Sequence, residues 1–314
     1  MRRIILLFLL TSLAFPQSHA VKMGDCSLSY RIDIVGLHSR YYVLDKAQRR
    51  IFVFNDKKYL RSIGRPGQGP GEFQYPAALS VYKNAIYCID KYSGYISVFD
   101  KHGKVRSYFK LHEDNEIIGY IADFVACDQG FLVAYDKGPF ILKLYNQEGR
   151  LIKGLERKDK SYKSIAHVYD IMLSSNKKSA YVFSRFDSSL LIVSLPNLEI
   201  LGSLKSFGTN REDEIKSIIN DKDTNSETST HFNTFFIFFP LLTEDSKFIA
   251  IPNERGECKR FTARSVDISL NPESFKTFEI DTDVPHRVTY IKKVGGKVLL
   301  VNDFGDLFIR NGLL

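Results

Sequence analysis

Six short stretches built to one pattern recur along the chain at nearly constant intervals. They are "YYVLDKAQRRIFVFN" (41–55), "IYCIDKYSGYISVFD" (86–100), "FLVAYDKGPFILKLYN" (131–146), "AYVFSRFDSSLLIVSL" (180–195), "FIAIPNERGECKRFTARSVDI" (248–268) and "VLLVNDFGDLFIRN" (298–311). Their starts are separated by 45, 45, 49, 68 and 50 residues. In the clearer copies a run of β-branched and aromatic residues meets an aspartate and a short turn, then a second such run. That is the signature of a hairpin. Each hairpin is preceded by a strand-like run ("YRIDIVG", "YPAALSVY", "IADFVAC", "HVYDIMLS", "NTFFIFFPLL", "RVTYIKKV"). Five are followed by another ("YLRSIG", "VRSYFKL", "LIKGL", "EILGSL", "FKTFEI"). Four antiparallel strands per unit at this period predict an all-β, six-bladed β-propeller. A sandwich or barrel needs no six alike units, and a β-solenoid repeats at a much shorter period.

The last unit supplies only three strands before the chain reaches Leu314. An unclosed ring leaves a bare strand edge. Residues 21–29 are the spare segment able to complete the last blade, so we expect the N-terminus to close the ring. The alternative is a three-stranded last blade. The twenty residues ahead of that segment, "MRRIILLFLLTSLAFPQSHA", read as a signal peptide: Arg2 and Arg3, an apolar stretch, then Ser18-His19-Ala20 at the cleavage position. Cleavage after Ala20 leaves one propeller domain, 21–314, exported to the periplasm or beyond. No later run is long and apolar enough for a membrane helix. The one long interval, before unit five, carries a polar insert at about 209–231. There a Thr209/Glu212 capping box and the stripe Ile215, Ile218 and Ile219 predict a short helix.

"GRPGQGPGEFQYP" (64–76), with four glycines and three prolines, looks at first like a phosphate loop. A Walker A loop needs Lys-Ser/Thr after its last glycine and then a helix. Here Glu72-Phe73 and a proline-led strand follow instead. The stretch therefore reads as the link from the rim of blade one to the axis of blade two. Its glycines supply tight conformations and close approach, its prolines fix extended segments, and Phe73 anchors between the blades. From this linker through "AALSVYKNAIYCIDKYSGYISVFDKHGKV", the sequence resembles NHL-type repeats. It is also similar to the TolB-like six-bladed propellers of exported Bacteroidetes-type proteins. The resemblance is good over 41–110 and implies six blades. Members of those groups bind proteins, glycans or small molecules, and a few are enzymes.

Chemistry is sparser. Asp45, Asp90 and Asp136, with Asp187 and Asp303 by rough analogy, recur at strand ends. A ring of carboxylates can take calcium, but each can equally accept the amides of its own turn. We expect the second role, no cofactor and no metal centre. The histidines are scattered outside any catalytic motif, and Cys26, Cys88, Cys127 and Cys258 lack metal-ligand spacing, so one disulfide is open without a choice of pair. The 44 basic residues exceed the 36 acidic ones, two of the surplus being Arg2 and Arg3 of the leader, which gives no ground for a nucleic-acid partner. In a propeller the middle turns and the outer-to-inner links share one face. That face gathers Lys46, Arg49, Arg50, Arg65, Lys91, Lys137, Arg185, Arg255, Lys259 and Arg260, with Tyr92 and Tyr95 interleaved. The expected function is a non-catalytic binding or scaffold propeller for a protein or glycan, an anionic one if this face receives it, with the insert as a flap. A channel-centred, metal-dependent hydrolase or lyase is the alternative. Oligomeric state is not fixed by the sequence.

Overall fold

The computed structural model describes residues 21–24, 27–29, 31–112, 120–157, 169–184, 189–204, 238–242, 247–252, 260–267, 275–281, 284 and 288–311. Among the described residues there are six four-stranded antiparallel sheets. Blade one comprises Ile32–Leu37, Arg40–Asp45, Arg50–Asn55 and Tyr59–Ile63, and blade two Pro76–Tyr82, Ala85–Asp90, Tyr95–Asp100 and Val105–Lys110. Blade three is Ile121–Cys127, Gly130–Tyr135, Phe140–Tyr145 and Leu151–Glu156, and blade four Tyr169–Leu173, Ser179–Ser184, Leu190–Ser194 and Ile200–Leu204. Blade five, Phe238–Leu242, Lys247–Pro252, Arg260–Asp267 and Phe275–Asp281, is described by its backbone pairing. The all-β six-bladed expectation holds.

The sixth blade contains Val288–Val294, Lys297–Asn302 and Leu307–Asn311, and its outer strand comes from the other end of the chain. Val21 pairs with Ile309 and Lys22 with Phe308. Met23 then donates its amide to the Leu307 carbonyl at 2.7 Å and buries its side chain completely. Lys22 Nζ lies 2.8 Å from Asp306. The ring is therefore closed by the N-terminal segment, as its spare position in the sequence implies.

Strand alternation decides which blade each residue touches. On Arg40–Asp45, Tyr41 and Val43 pack with Ile291, Val298 and Leu300 of blade six. Their neighbours Tyr42 and Leu44 pack with Leu79, Ile86 and Phe99 of blade two. A middle strand is thus apolar on both faces because a blade covers each face, which is why its sequence runs without alternation. The same interdigitation joins blade two to three through Ile89, Ile96, Phe124 and Phe131. It joins blade three to four through Leu132, Leu144, Val182 and Val193. First strands of successive blades contact one another, from blade one through four and from five through six back to one. They line the axis.

The 64–76 link behaves as its composition predicts. Phe73 is 4% exposed and packs in the seam between blades one and two, its ring 5.9 Å from that of Phe99. Gly64, at φ 76°, is required there, because a Cβ would come within 2.2 Å of the Phe73 ring. Arg65–Pro66 forms a two-residue parallel pair with Glu72–Phe73. The amides of Gln68 and Gly69, which a phosphate loop would present to its ligand, donate instead to Glu72 Oε2 at 3.1 and 3.0 Å. The Gly69 amide, then the Arg65 guanidinium, hold this carboxyl below the usual range. The loop carries its own anion.

Candidate binding face

The turn face is assembled by one repeated backbone contact. In blades one to three the carbonyl of the residue just before the first strand accepts the amide of the residue that opens the middle turn. Arg31 accepts from Lys46 at 2.9 Å, Tyr75 from Lys91 at 2.7 Å and Tyr120 from Asp136 at 2.9 Å. Link and turn are thereby fixed side by side, so the sequence's grouping of these segments on one face holds through blades one to three.

This contact also resets the register of the strand-end carboxylates. Asp45 Oδ1 accepts the amides of Ala47 and Gln48 at 3.0 and 2.8 Å, and Asp90 Oδ1 those of Tyr92 and Ser93 at 3.2 and 3.0 Å. Both also reach back to the preceding link, at Ser29 and Tyr75 respectively. Asp136 departs from this role. It stands one position later, where blades one and two have Lys46 and Lys91, because Tyr135 is the residue paired with the start of its first strand. Its Oδ2 lies 3.0 Å from Lys91 Nζ, and burial pushes its carboxyl up although Lys91 pulls it down. In blade six the turn-capping residue is Asn302, whose Oδ1 accepts the amides of Phe304 and Asp306 at 3.1 and 2.9 Å. Asp303 is exposed and is not the analogue. Asp187 lies outside the described residues.

On this face the side chains form a continuous string. The Arg49 guanidinium carbon is 5.8 Å from the centre of the Tyr75 ring. Tyr75 meets Tyr92 edge-to-face at 5.0 Å, and Tyr92 meets Tyr120 in the same way at 5.9 Å. Lys137 Nζ sits 4.9 Å over Tyr120, and Lys91 Nζ 5.8 Å from Tyr92. The three tyrosines are 48, 45 and 45% exposed, unusually open for large aromatic side chains that touch one another. The string therefore runs from the blade-one turn to the blade-three turn, with a cation at each end. Tyr75 and Tyr120 escape a reading of the turns alone because they sit in the links. The signal for them is an aromatic residue immediately before the first strand in two successive units.

The remaining sequence-predicted residues are placed as follows. Arg50 opens its strand and is exposed. Arg65, 76% exposed by its side chain, is bound to Glu72 at 2.8 Å. Tyr95 lies apart from the string, stacked on Tyr108 at 4.7 Å with rings 7° from parallel. Arg260 begins the third strand of blade five. Arg185, Arg255 and the 209–231 insert fall outside the described residues. Cys88 and Cys127 are buried free thiols, and His38, His102 and His112 are exposed.

A second polar set lies on the first strands, where sequence reasoning saw only β runs. Asp33 Oδ2 accepts the Leu79 amide of blade two at 2.7 Å, and Asp123 Oδ2 the Ile171 amide of blade four at 2.8 Å. Ser80 Oγ accepts the Ala126 amide of blade three at 2.9 Å. These bonds stitch one first strand to the next. Lys292 Nζ lies 2.5 Å from Asp33 Oδ1. Burial pushes Asp33 up, but Lys292, Lys46 and the Leu79 amide outweigh it and leave the carboxyl below its ordinary range. Among the described residues Asp123 has no ion pair of that kind: burial and the charges of Asp33 and Asp170 push it up to about 7 against the pull of the more distant Lys292. The signal in the sequence was present, as "IDI", "ADF" and "YDI" in three first-strand runs.

Among the described residues no three His, Cys, Asp or Glu side chains are arranged to hold a metal ion, and no helix is long and apolar enough to cross a membrane. No curated protein matches the sequence. Among solved structures, a Bacteroides fragilis protein described as a candidate exported protein matches with a TM-score of 0.67 at 14% identity over 95% of both chains. A Bacteroides thetaiotaomicron protein of unknown function matches with a TM-score of 0.58 at 12% identity, over 93% of this chain and 72% of the other. At such identities the likeness is one of fold. A family model described as a 6-bladed beta-propeller, DUF5128, matches residues 24–197, more than half of the sequence, and the chain belongs to that family.

Proposed function

We propose that the protein is an exported, non-catalytic binding propeller that receives an anionic partner on the turn face of blades one to three. The observation that carries this reading is the string from Arg49 through Tyr75, Tyr92 and Tyr120 to Lys137. Exposed aromatic rings in contact, ended by cations, combine desolvation with long-range attraction for negative charge. The leader-like first twenty residues support export. The fold likeness to a candidate exported Bacteroides protein is in keeping with it. The NHL-type and TolB-like character of 41–110 belongs to the same reading, as does a single domain over 21–314 with a polar insert near 209–231. The test is retention on acidic and neutral polymers at low and high salt, for the wild type and an Arg49→Gln/Lys137→Gln variant. Retention of acidic polymers only, weakened by salt and by the variant, supports the proposal. Equal retention of both proteins, or none, overturns it.

The axial carboxylates give a second reading some footing, a metal-dependent hydrolase or lyase centred on the channel, because a carboxyl displaced to about 7 is suited to proton transfer. The bonding of those groups favours the binding reading. Asp33 and Asp123 each direct both oxygens to backbone amides of their own and the next blade, which gives these carboxylates a structural role in joining first strands. Calcium bound in stoichiometric amount by purified protein would reverse this preference.

A further inference from the structure

We infer that the partner of the turn face is an acidic saccharide chain, laid across Tyr75, Tyr92 and Tyr120 with uronate carboxylates at Arg49 and Lys137. This rests on the anionic-partner reading and narrows it to one ligand class. The first observation is a contrast in the tyrosine hydroxyls. Tyr41, Tyr42, Tyr82 and Tyr108 each donate to an oxygen at 2.7–3.1 Å. The hydroxyls of Tyr75, Tyr92 and Tyr120 have no such partner among the described residues; Tyr87 and Tyr181 share this, but the three of the string are exposed and in mutual contact. A sugar ring offers C–H faces that pack on aromatic rings and hydroxyls that exchange hydrogen bonds with phenols. The three rings, set edge-to-face at 76° and 87°, present both faces and edges to such a chain.

The second observation is conformational. Arg49 closes the blade-one turn at φ 56°, where the equivalent position of the blade-two turn is Gly94 at φ 68°. Tyr120 is held at φ 59° outside any hairpin turn. Left-handed backbone is disfavoured for such side chains and persists where the surroundings enforce it, commonly at binding sites. Of the eight non-glycine residues at positive φ among the described residues, these two are an end cation and an end ring of the string. The third observation is charge placement. The cations lie at the ends and beside the string, Lys91 being tied to Asp136 at its side, which matches carboxylates spaced along a chain better than one dense anion. A folded acidic protein would need a broader apolar centre than three tyrosines provide.

The experiment measures binding of oligogalacturonate, oligomannuronate and hyaluronan fragments, with methyl-esterified oligogalacturonate as the uncharged sugar and polyglutamate as the acidic non-sugar. At least one uronate chain should bind, about tenfold more tightly than its uncharged form or than polyglutamate. Tyr92→Ala should weaken it about tenfold, and Arg49→Gly several-fold at an unchanged melting temperature, since glycine suits that turn. If polyglutamate binds as well as the uronates and Tyr92→Ala changes nothing, the saccharide inference falls while the anionic-partner reading stands. If no polyanion binds, both fall.

Discussion

The same residue type does opposite work in two regions of this propeller. In the seams, Tyr41, Tyr42 and Tyr82 are buried in relative exposure, and their hydroxyls are satisfied by Asp56, the Lys101 carbonyl and Asp128. On the turn face, Tyr75, Tyr92 and Tyr120 touch one another and water. The difference teaches that regularity and exposure separate here: what is buried holds the blades, and what is left unsatisfied is available to a ligand. Substitutions in the seams should therefore change stability, and those on the face should change binding with the fold intact.

The largest seam effect is expected at Phe73. Phe73→Ala leaves a cavity between blades one and two and should cost roughly 3–5 kcal/mol, measured by denaturant unfolding. An unchanged midpoint would break the comparison at its strongest point. Asp33→Ala strands the Leu79 amide and the Lys292 ammonium together; because Lys292 is about a third exposed, the expected loss is roughly 2 kcal/mol, below the range for fully buried pairs.

Titration sharpens the contrast further. The folded state raises the Asp123 carboxyl from 3.8 to about 7, so it binds that proton more tightly than the unfolded chain does. Between those values the unfolded state carries fewer protons, and stability falls as pH rises. Melting temperature should decline from pH 5 to about pH 7 through this group and level off above it, and Asp123→Asn should flatten that decline. The Asp33 carboxyl, shifted downward, is ionised in both states across the same window and leaves the slope alone. A decline of equal slope in the variant would remove Asp123 as its cause.

The smallest effects form a pair. Tyr82→Phe gives up a 2.7 Å bond to Asp128 and should cost about 1 kcal/mol. Tyr92→Phe, on the face, should stay within about 0.5 kcal/mol of wild type. Equal losses would erase the distinction between the two regions.

How far this was legible in the sequence follows from the range of each interaction. Hairpins that pair within fifteen residues announce themselves, and so does an N-terminal segment with no other blade to join. Phe73 was legible because the glycines around it have one structural use. The register of Asp136 and Asp303 was not: a single shift against Tyr135 or Asn302 moves the capping position without changing the look of the motif. The string on the turn face was half legible, because Tyr92 lies in a turn while Tyr75 and Tyr120 belong to links 45 residues apart. The axial carboxylates were missed because their partners are amides of another blade, 46 or 48 residues away, and no local pattern records them.

The closure of the ring has a mechanical consequence. Val21 lies beside Ile309 and Lys22 beside Phe308 in an antiparallel pair, so the two ends of the chain leave the last blade at the same edge. A force drawn between those ends would peel the seal open one pair at a time rather than shear both pairs at once. Tethering by one end alone would leave the seal unloaded, whereas stretching between both ends would open the sixth blade before any other and unwind the ring from there.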